Sequence, residues 1–147
     1  MATASDAILI DTNVLVYAMN SSAAEHPTAL AFLDRALRGE FQGLVTAQIL
    51  VEYVAVVTNP RHVTRPLSAD DAADDARRLA TALSVLPVPA DLLSRVLDRA
   101  ATLGIGGRHI FDLQHAVMAE ANGVTKIATY DTRFRNFYWI EAVTPQL

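Results

Sequence analysis

Four acids stand where an acid is costly. Asp11 closes the apolar run Ile8-Leu9-Ile10, and Glu52 sits inside Ile49-Leu50-Val51-Glu52-Tyr53-Val54. Asp112 falls in the first turn of a late helical segment, and Asp131 follows Lys126-Ile127-Ala128-Thr129-Tyr130. A buried carboxylate requires a paired charge, hydrogen bonds or a metal. Each acid also has a bland explanation: a helix cap for Asp11, a solvated stripe for Glu52, a dipole partner for Asp112 and a turn for Asp131. Taken together they suit hard divalent cations, which prefer carboxylate oxygens and water. One or two such ions can activate water and stabilise the leaving oxygen in phosphodiester cleavage.

These acids need elements to bring them together. Residues 7–11 predict a buried strand, 13–20 a short helix, and Pro27 to Arg38 a second helix ended by Gly39. Gly43–Thr46 reads as a strand, with Thr46 capping a helix to Thr58 that Asn59-Pro60 stops. On that helix Gln48, Glu52, Ala55 and Asn59 share one face. Ser68 caps a helix to Leu83, and Val85–Val88 reads as an edge strand because of Pro87. Helices follow at Pro89–Leu103 and Ile110–Asn122, then strands at Val124–Thr129 and Tyr138–Val143. Apolar strands alternating with helices predict a parallel sheet covered on both faces. Its sites form beyond the carboxyl ends of the strands, where Asp11 and Asp131 are expected as neighbours.

A length of 147 residues predicts one domain, residues 1–147, and 52% hydrophobic composition is ample for its core. Without cysteine, a metal site must use oxygen or nitrogen. Met1–Asp6 lacks a signal peptide's basic region, and the apolar stretch Leu44–Val57 is too short to span a bilayer. A soluble, cytoplasmic protein without a membrane partner is expected. The net charge of −4 argues weakly against nucleic acid, although bound cations would offset it. The bases are one lysine and otherwise arginine, which suits bidentate phosphate contacts, as does a GC-rich genome. Arg61, Arg65, Arg108 and Arg133 are candidate backbone-binding residues around the acids, or else ordinary loop charges.

The motifs resemble those of PIN-domain ribonucleases, in particular the VapC-type toxins of toxin–antitoxin pairs. The match rests on Leu9-Ile10-Asp11-Thr12-Asn13-Val14-Leu15, on Glu52 followed by Thr58-Asn59-Pro60, on Asp112, and on Thr129-Tyr130-Asp131 with Phe134. The resemblance implies a three-layer α/β/α fold with a central parallel sheet of four or five strands. It implies a Mg²⁺- or Mn²⁺-dependent endoribonuclease whose metal-site and catalytic acids are Asp11, Glu52, Asp112 and Asp131, supported by Thr12, Asn13 and Thr129. It further implies an RNA substrate, an antitoxin partner and a homodimer. Two departures stand out. Arg133 occupies a position where many members have a further acid, which leaves open one ion or two. Gln114 and His115 interrupt the small residues usual after Asp112, and His115 could lie near the metal cleft.

Other chemistries fit less well. Asn13 replaces the second acid of an Asp-x-Asp phosphatase, and neither a phosphate-binding Gly-rich loop with lysine nor a Gly-x-Ser-x-Gly elbow occurs. His26, His62 and His109 read as surface or loop residues, His115 as a surface or packing residue, and Phe134, Phe137, Tyr138 and Trp139 as core or dimer contacts. Two alternatives remain: a non-catalytic PIN-like module that binds RNA or protein, and a DNA-directed nuclease of the same fold.

Overall fold

The central strand is the most apolar. β1 (Ala7–Ile10) buries Leu9 and Ile10 completely. It pairs in parallel with β2 (Gln42–Val45) on one side and β4 (Lys126–Ala128) on the other. β3 (Ser84–Val85) and β5 (Glu141–Val143) complete the sheet in the order β3-β2-β1-β4-β5, with every pair parallel. The computed structural model describes residues 6–147; the segment read above for a signal peptide lies outside them except for Asp6.

Helices α1 (Thr12–Met19) and α2 (His26–Leu37) link β1 to β2, and α3 (Ala47–Val57) and α4 (Ala69–Ala82) link β2 to β3. The chain then crosses back through α5 (Leu92–Leu103) and α6 (His109–Ala121) to β4. Right-handed crossovers, the near-universal hand, put α1–α4 on one face and α5–α6 on the other. Helix packing agrees: α1 meets α2 and α3, α3 meets α4, and α5 meets α6. The result is three layers, α/β/α, around a five-stranded parallel sheet. Strand order reverses between β1 and β4, so a crevice opens at their carboxyl ends.

Local chemistry explains the boundaries. Thr46 caps α3 by accepting from Ile49 N at 3.0 Å, and Ser68 caps α4 by accepting from Asp71 N at 3.1 Å. Gly104 and Gly123 follow α5 and α6 with φ of 66° and 70°. Gly43 of β2 meets a different demand: a Cβ there would lie 2.8 Å from Leu83 Cδ2 and 3.1 Å from Ala36 Cβ. The close approach of helices to the sheet needs the missing side chain.

Some elements are shorter than the sequence predicts. β3 stops at Val85, although Leu86 N still donates to Val45 O, and Pro87 cannot extend the ladder. α5 begins at Leu92 because Pro89–Asp91 form a turn closed by Leu92 N donating to Pro89 O. Tyr138–Ile140 lie outside β5. A 3₁₀ turn over Thr132–Asn136, absent from the sequence reading, follows β4 and buries Phe134. Phe137 is core as well, whereas Tyr138 is 78% exposed. No helix among the described residues is long and apolar enough to cross a membrane.

Candidate metal centre

Asp11 sits at the hinge between strand and helix. Its N–H extends the β1–β4 pairing by donating to Ala128 O, and its Oδ1 caps α1 by accepting from Thr12 N at 2.8 Å. Its Oδ2 accepts from Thr129 Oγ1 at 2.8 Å and Asn13 Nδ2 at 3.3 Å. Only 8% of the residue is exposed. Burial pushes its carboxyl above the usual range, outweighing the lowering by His115, Thr129 and Thr12, while Asp112 adds repulsion. A nearby cation would relieve both effects.

Thr129 locks this corner. Its hydroxyl donates to Asp11 and accepts from Asn13 Nδ2 (3.2 Å) and Asp131 N (3.0 Å), using its full hydrogen-bonding capacity. Asn13 Oδ1 accepts from Tyr130 N, which ties α1 to the segment after β4. The three residues implied as supporting thus lie in contact with the acids.

Thr12 carries the linkage to α3: its Oγ1 donates to Glu52 Oε2 at 3.0 Å. Gln48 Nε2 donates to Glu52 Oε1 at 2.8 Å, as their shared helix face required, and His115 Nε2 stands 3.5 Å from Oε2. Burial raises the Glu52 carboxyl, but His115, Gln48 and Thr12 more than offset it and hold it below its ordinary range. Asp112, in the first turn of α6, contacts His109 Nδ1 at 3.0 Å and Arg133 Nε at 3.5 Å. Asp131 caps the 3₁₀ turn and meets Arg133 Nη2 at 2.6 Å. That guanidinium holds the Asp131 carboxyl below the usual range.

Asp11, Asp112 and Asp131 line one cleft of about 330 Å³ at the switch point, together with Thr12, Asn13, Val16, Tyr17, Val56 and His62. Glu52 does not line it; its tie is through Thr12. A more apolar hollow of about 300 Å³, bordered by Leu15, Met19, Leu37, Tyr53 and Leu79, contains none of the four acids.

The histidines depart most from the sequence reading. His62 is exposed but lines the acidic cleft. His109 is not a free surface residue: its ring stacks on Phe137 and touches Asp112. His115 is 2% exposed and buried beside Glu52, so of the two roles read from the sequence the packing one holds and the surface one does not. Spacing offered a clue for two of them, since positions three residues before and after Asp112 share its helix face. No local signal marks His62, Tyr17 or Val56. Of the arginines, Arg133 meets two acids, Arg61 and Arg108 are exposed, and Arg65 lines a separate hollow with Met19 and Asn20. Arg65 is therefore not brought to the acids.

The donors fit a hard divalent ion. All are oxygens, and Asp11 is a buried carboxylate whose hydrogen bonds do not offset its desolvation. Among the described residues no three His, Asp or Glu side chains are grouped as ligands of one ion. Mg²⁺ does not require that, because it commonly keeps several waters and takes one or two carboxylates.

If these acids serve metal-dependent cleavage, Thr129→Val is expected to lower it by about 10–100-fold, the range for groups that orient metal ligands. It removes the donor to Asp11 and leaves Asp131 N without its acceptor. Thr129→Ser should retain most activity. Cleavage assays on both variants check this, and equal loss in the two would contradict it.

Comparison with known proteins identifies the family. Residues 8–140 match the PIN domain. The chain is 35% identical over 121 residues to Ribonuclease VapC24 of Mycobacterium tuberculosis, covering 82% of this chain and 83% of that protein. It is 31% identical over 134 residues to Ribonuclease VapC37 of the same organism, covering 88% and 90%. Among solved structures, the sarcin-ricin loop cleaving toxin VapC20 of Mycobacterium tuberculosis superposes with a TM-score of 0.69 at 22% identity, over 94% of this chain and 99% of that one. The VapBC2 complex of Rickettsia felis, bound to a promoter DNA fragment, gives 0.67 at 14% identity, over 95% and 99%. At those identities the structural likeness concerns the fold.

Proposed function

The chain belongs to the PIN-domain family, among its VapC members, and we propose that it is a Mg²⁺- or Mn²⁺-dependent endoribonuclease, the toxin of a toxin–antitoxin pair. The observation that carries this reading is the buried Asp11 carboxylate, held at the strand switch point beside Asp112 and Asp131 in one open cleft. The ribonuclease names of its relatives support RNA as the substrate, and the toxin–antitoxin complexes among its structural neighbours support an antitoxin partner. A homodimer is the expected assembly.

In this reading Asp11 and Asp112 would hold the ion, Asp131 lines the same cleft, and Glu52 acts through Thr12. When bound, a divalent ion supplies positive charge at the phosphate and makes an attacking water more acidic. The protein contributes position. Thr129 fixes the Asp11 and Asp131 segments together, Thr12 links Asp11 to Glu52, and Asn13 fastens α1 to Tyr130. Tyr17, Val56 and His62 line the same cleft as the acids and are placed to contact a substrate bound there.

Mapping new RNA 5′ ends after brief induction tests the proposal, with Asp11→Asn as the control. Discrete ends that appear with the wild type and vanish in the control are expected. No new ends, together with DNA degradation, would favour a DNA-directed nuclease; no cleavage of either would favour a binding module.

A further inference from the structure

Arg133 makes close contacts with two of the acids of the cleft. Its Nε lies 3.1 and 2.9 Å from the two Asp131 carboxylate oxygens, and Nη2 lies 2.6 Å from Oδ2. Its backbone N–H also donates to Asp131 Oδ1 at 2.9 Å. The same guanidinium reaches Asp112 Oδ2 at 3.5 Å. One fork therefore serves two carboxylates that arrive from different elements, α6 and the 3₁₀ turn.

We infer that Arg133 takes the place of a second divalent cation, so that the cleft loads one ion and not two. Charge and placement both favour this. Guanidinium stays protonated at any physiological pH and matches carboxylate geometry with parallel donors. Phe134, fully buried next in the chain, fixes the turn that presents it. Asp11 receives no hydrogen bond from Arg133; its partners are Thr12, Asn13 and Thr129. Asp11, with Asp112 only at the outer reach of the guanidinium, is thus left for a divalent ion, while Asp131 is already compensated. This inference rests on the nuclease reading and adds the ion count and the residue that sets it.

The test is Mn²⁺ titration of the metal-free protein, following free Mn²⁺ by its paramagnetic resonance signal. The wild type should bind one ion. Arg133→Gln should bind two, or bind its one ion at least about tenfold more tightly, because a fixed positive charge has left the acids. The Arg133 side chain is 54% exposed, so its loss should not impair folding, and unchanged Tm would verify that. Arg133→Lys keeps the charge and should stay at one ion. Two ions in the wild type with RNA cleavage intact would overturn the inference alone. One ion at unchanged affinity in Arg133→Gln would also overturn it. No Mn²⁺ binding by any variant would overturn the nuclease reading and this inference with it.

Discussion

Asp11→Asn is expected to reduce RNA cleavage by more than about 100-fold while raising the Tm of the metal-free protein. The activity loss should exceed that of Thr129→Val, since groups that merely orient a ligand account for about 10–100-fold. The stability gain follows from burial. Asp11 is 8% exposed, and desolvation raises its carboxyl above the unfolded value of 3.8. The folded state therefore binds this proton more tightly than the unfolded chain does. Wild-type stability suffers the full penalty above the folded pKa and loses it as pH falls towards the unfolded pKa. Asparagine has no such penalty, so the Tm advantage of Asp11→Asn should be largest near neutral pH and shrink on acidification. Thermal melts of both proteins across pH, without metal, check this. A variant less stable than wild type at pH 7 would show that the hydrogen bonds to Asp11 outweigh its desolvation.

Phe134→Ala should have the largest effect on stability, about 3–5 kcal/mol, the usual cost of emptying a buried phenylalanine site. At roughly 2–4 °C per kcal/mol for a chain of this size, Tm should fall by about 6–20 °C. Phe134 is completely buried, edge-on to Phe137, whose ring in turn stacks on His109. That stack reaches Asp112 through His109 Nδ1, and the same turn presents Arg133 to Asp131. The substitution should therefore weaken Mn²⁺ binding as well as stability, whereas Phe134→Leu should largely preserve both. Calorimetry with Mn²⁺ titration separates the effects. A Tm change under about 2 °C would contradict the assigned packing role.

Much of the fold was legible locally. The helix boundaries at Thr46 and Ser68 follow from hydroxyls placed to accept from the first turn, and the sheet from short apolar runs separated by helices. The proximity of Asp11 to the Asp131 segment followed from parallel strands, whose carboxyl ends share an edge. The 3₁₀ turn was not legible, because five residues with i→i+3 bonds carry no usable periodicity. Nor was the Arg133 bridge from Asp131 to Asp112, which depends on where α6 lies against that turn. His115 illustrates the same limit. Its neighbours Ala116 and Ala119 are fully buried, but only the tertiary placement of α6 brings the ring beside Glu52 of α3. Arg65 and His62 lie three residues apart on one loop, yet line different hollows. Side-chain direction on an irregular loop has no sequence period from which it could be read.

The central claim is that these acids hold a divalent ion for RNA cleavage. It is tested most directly by cleavage of a defined single-stranded RNA by purified protein in Mn²⁺, after chelation, and after Mn²⁺ is restored. The expected result is cleavage, its loss on chelation and its return with the metal, with Asp11→Asn and Asp112→Asn inactive throughout. Cleavage that persists in chelator, or at wild-type rate in either variant, would contradict it.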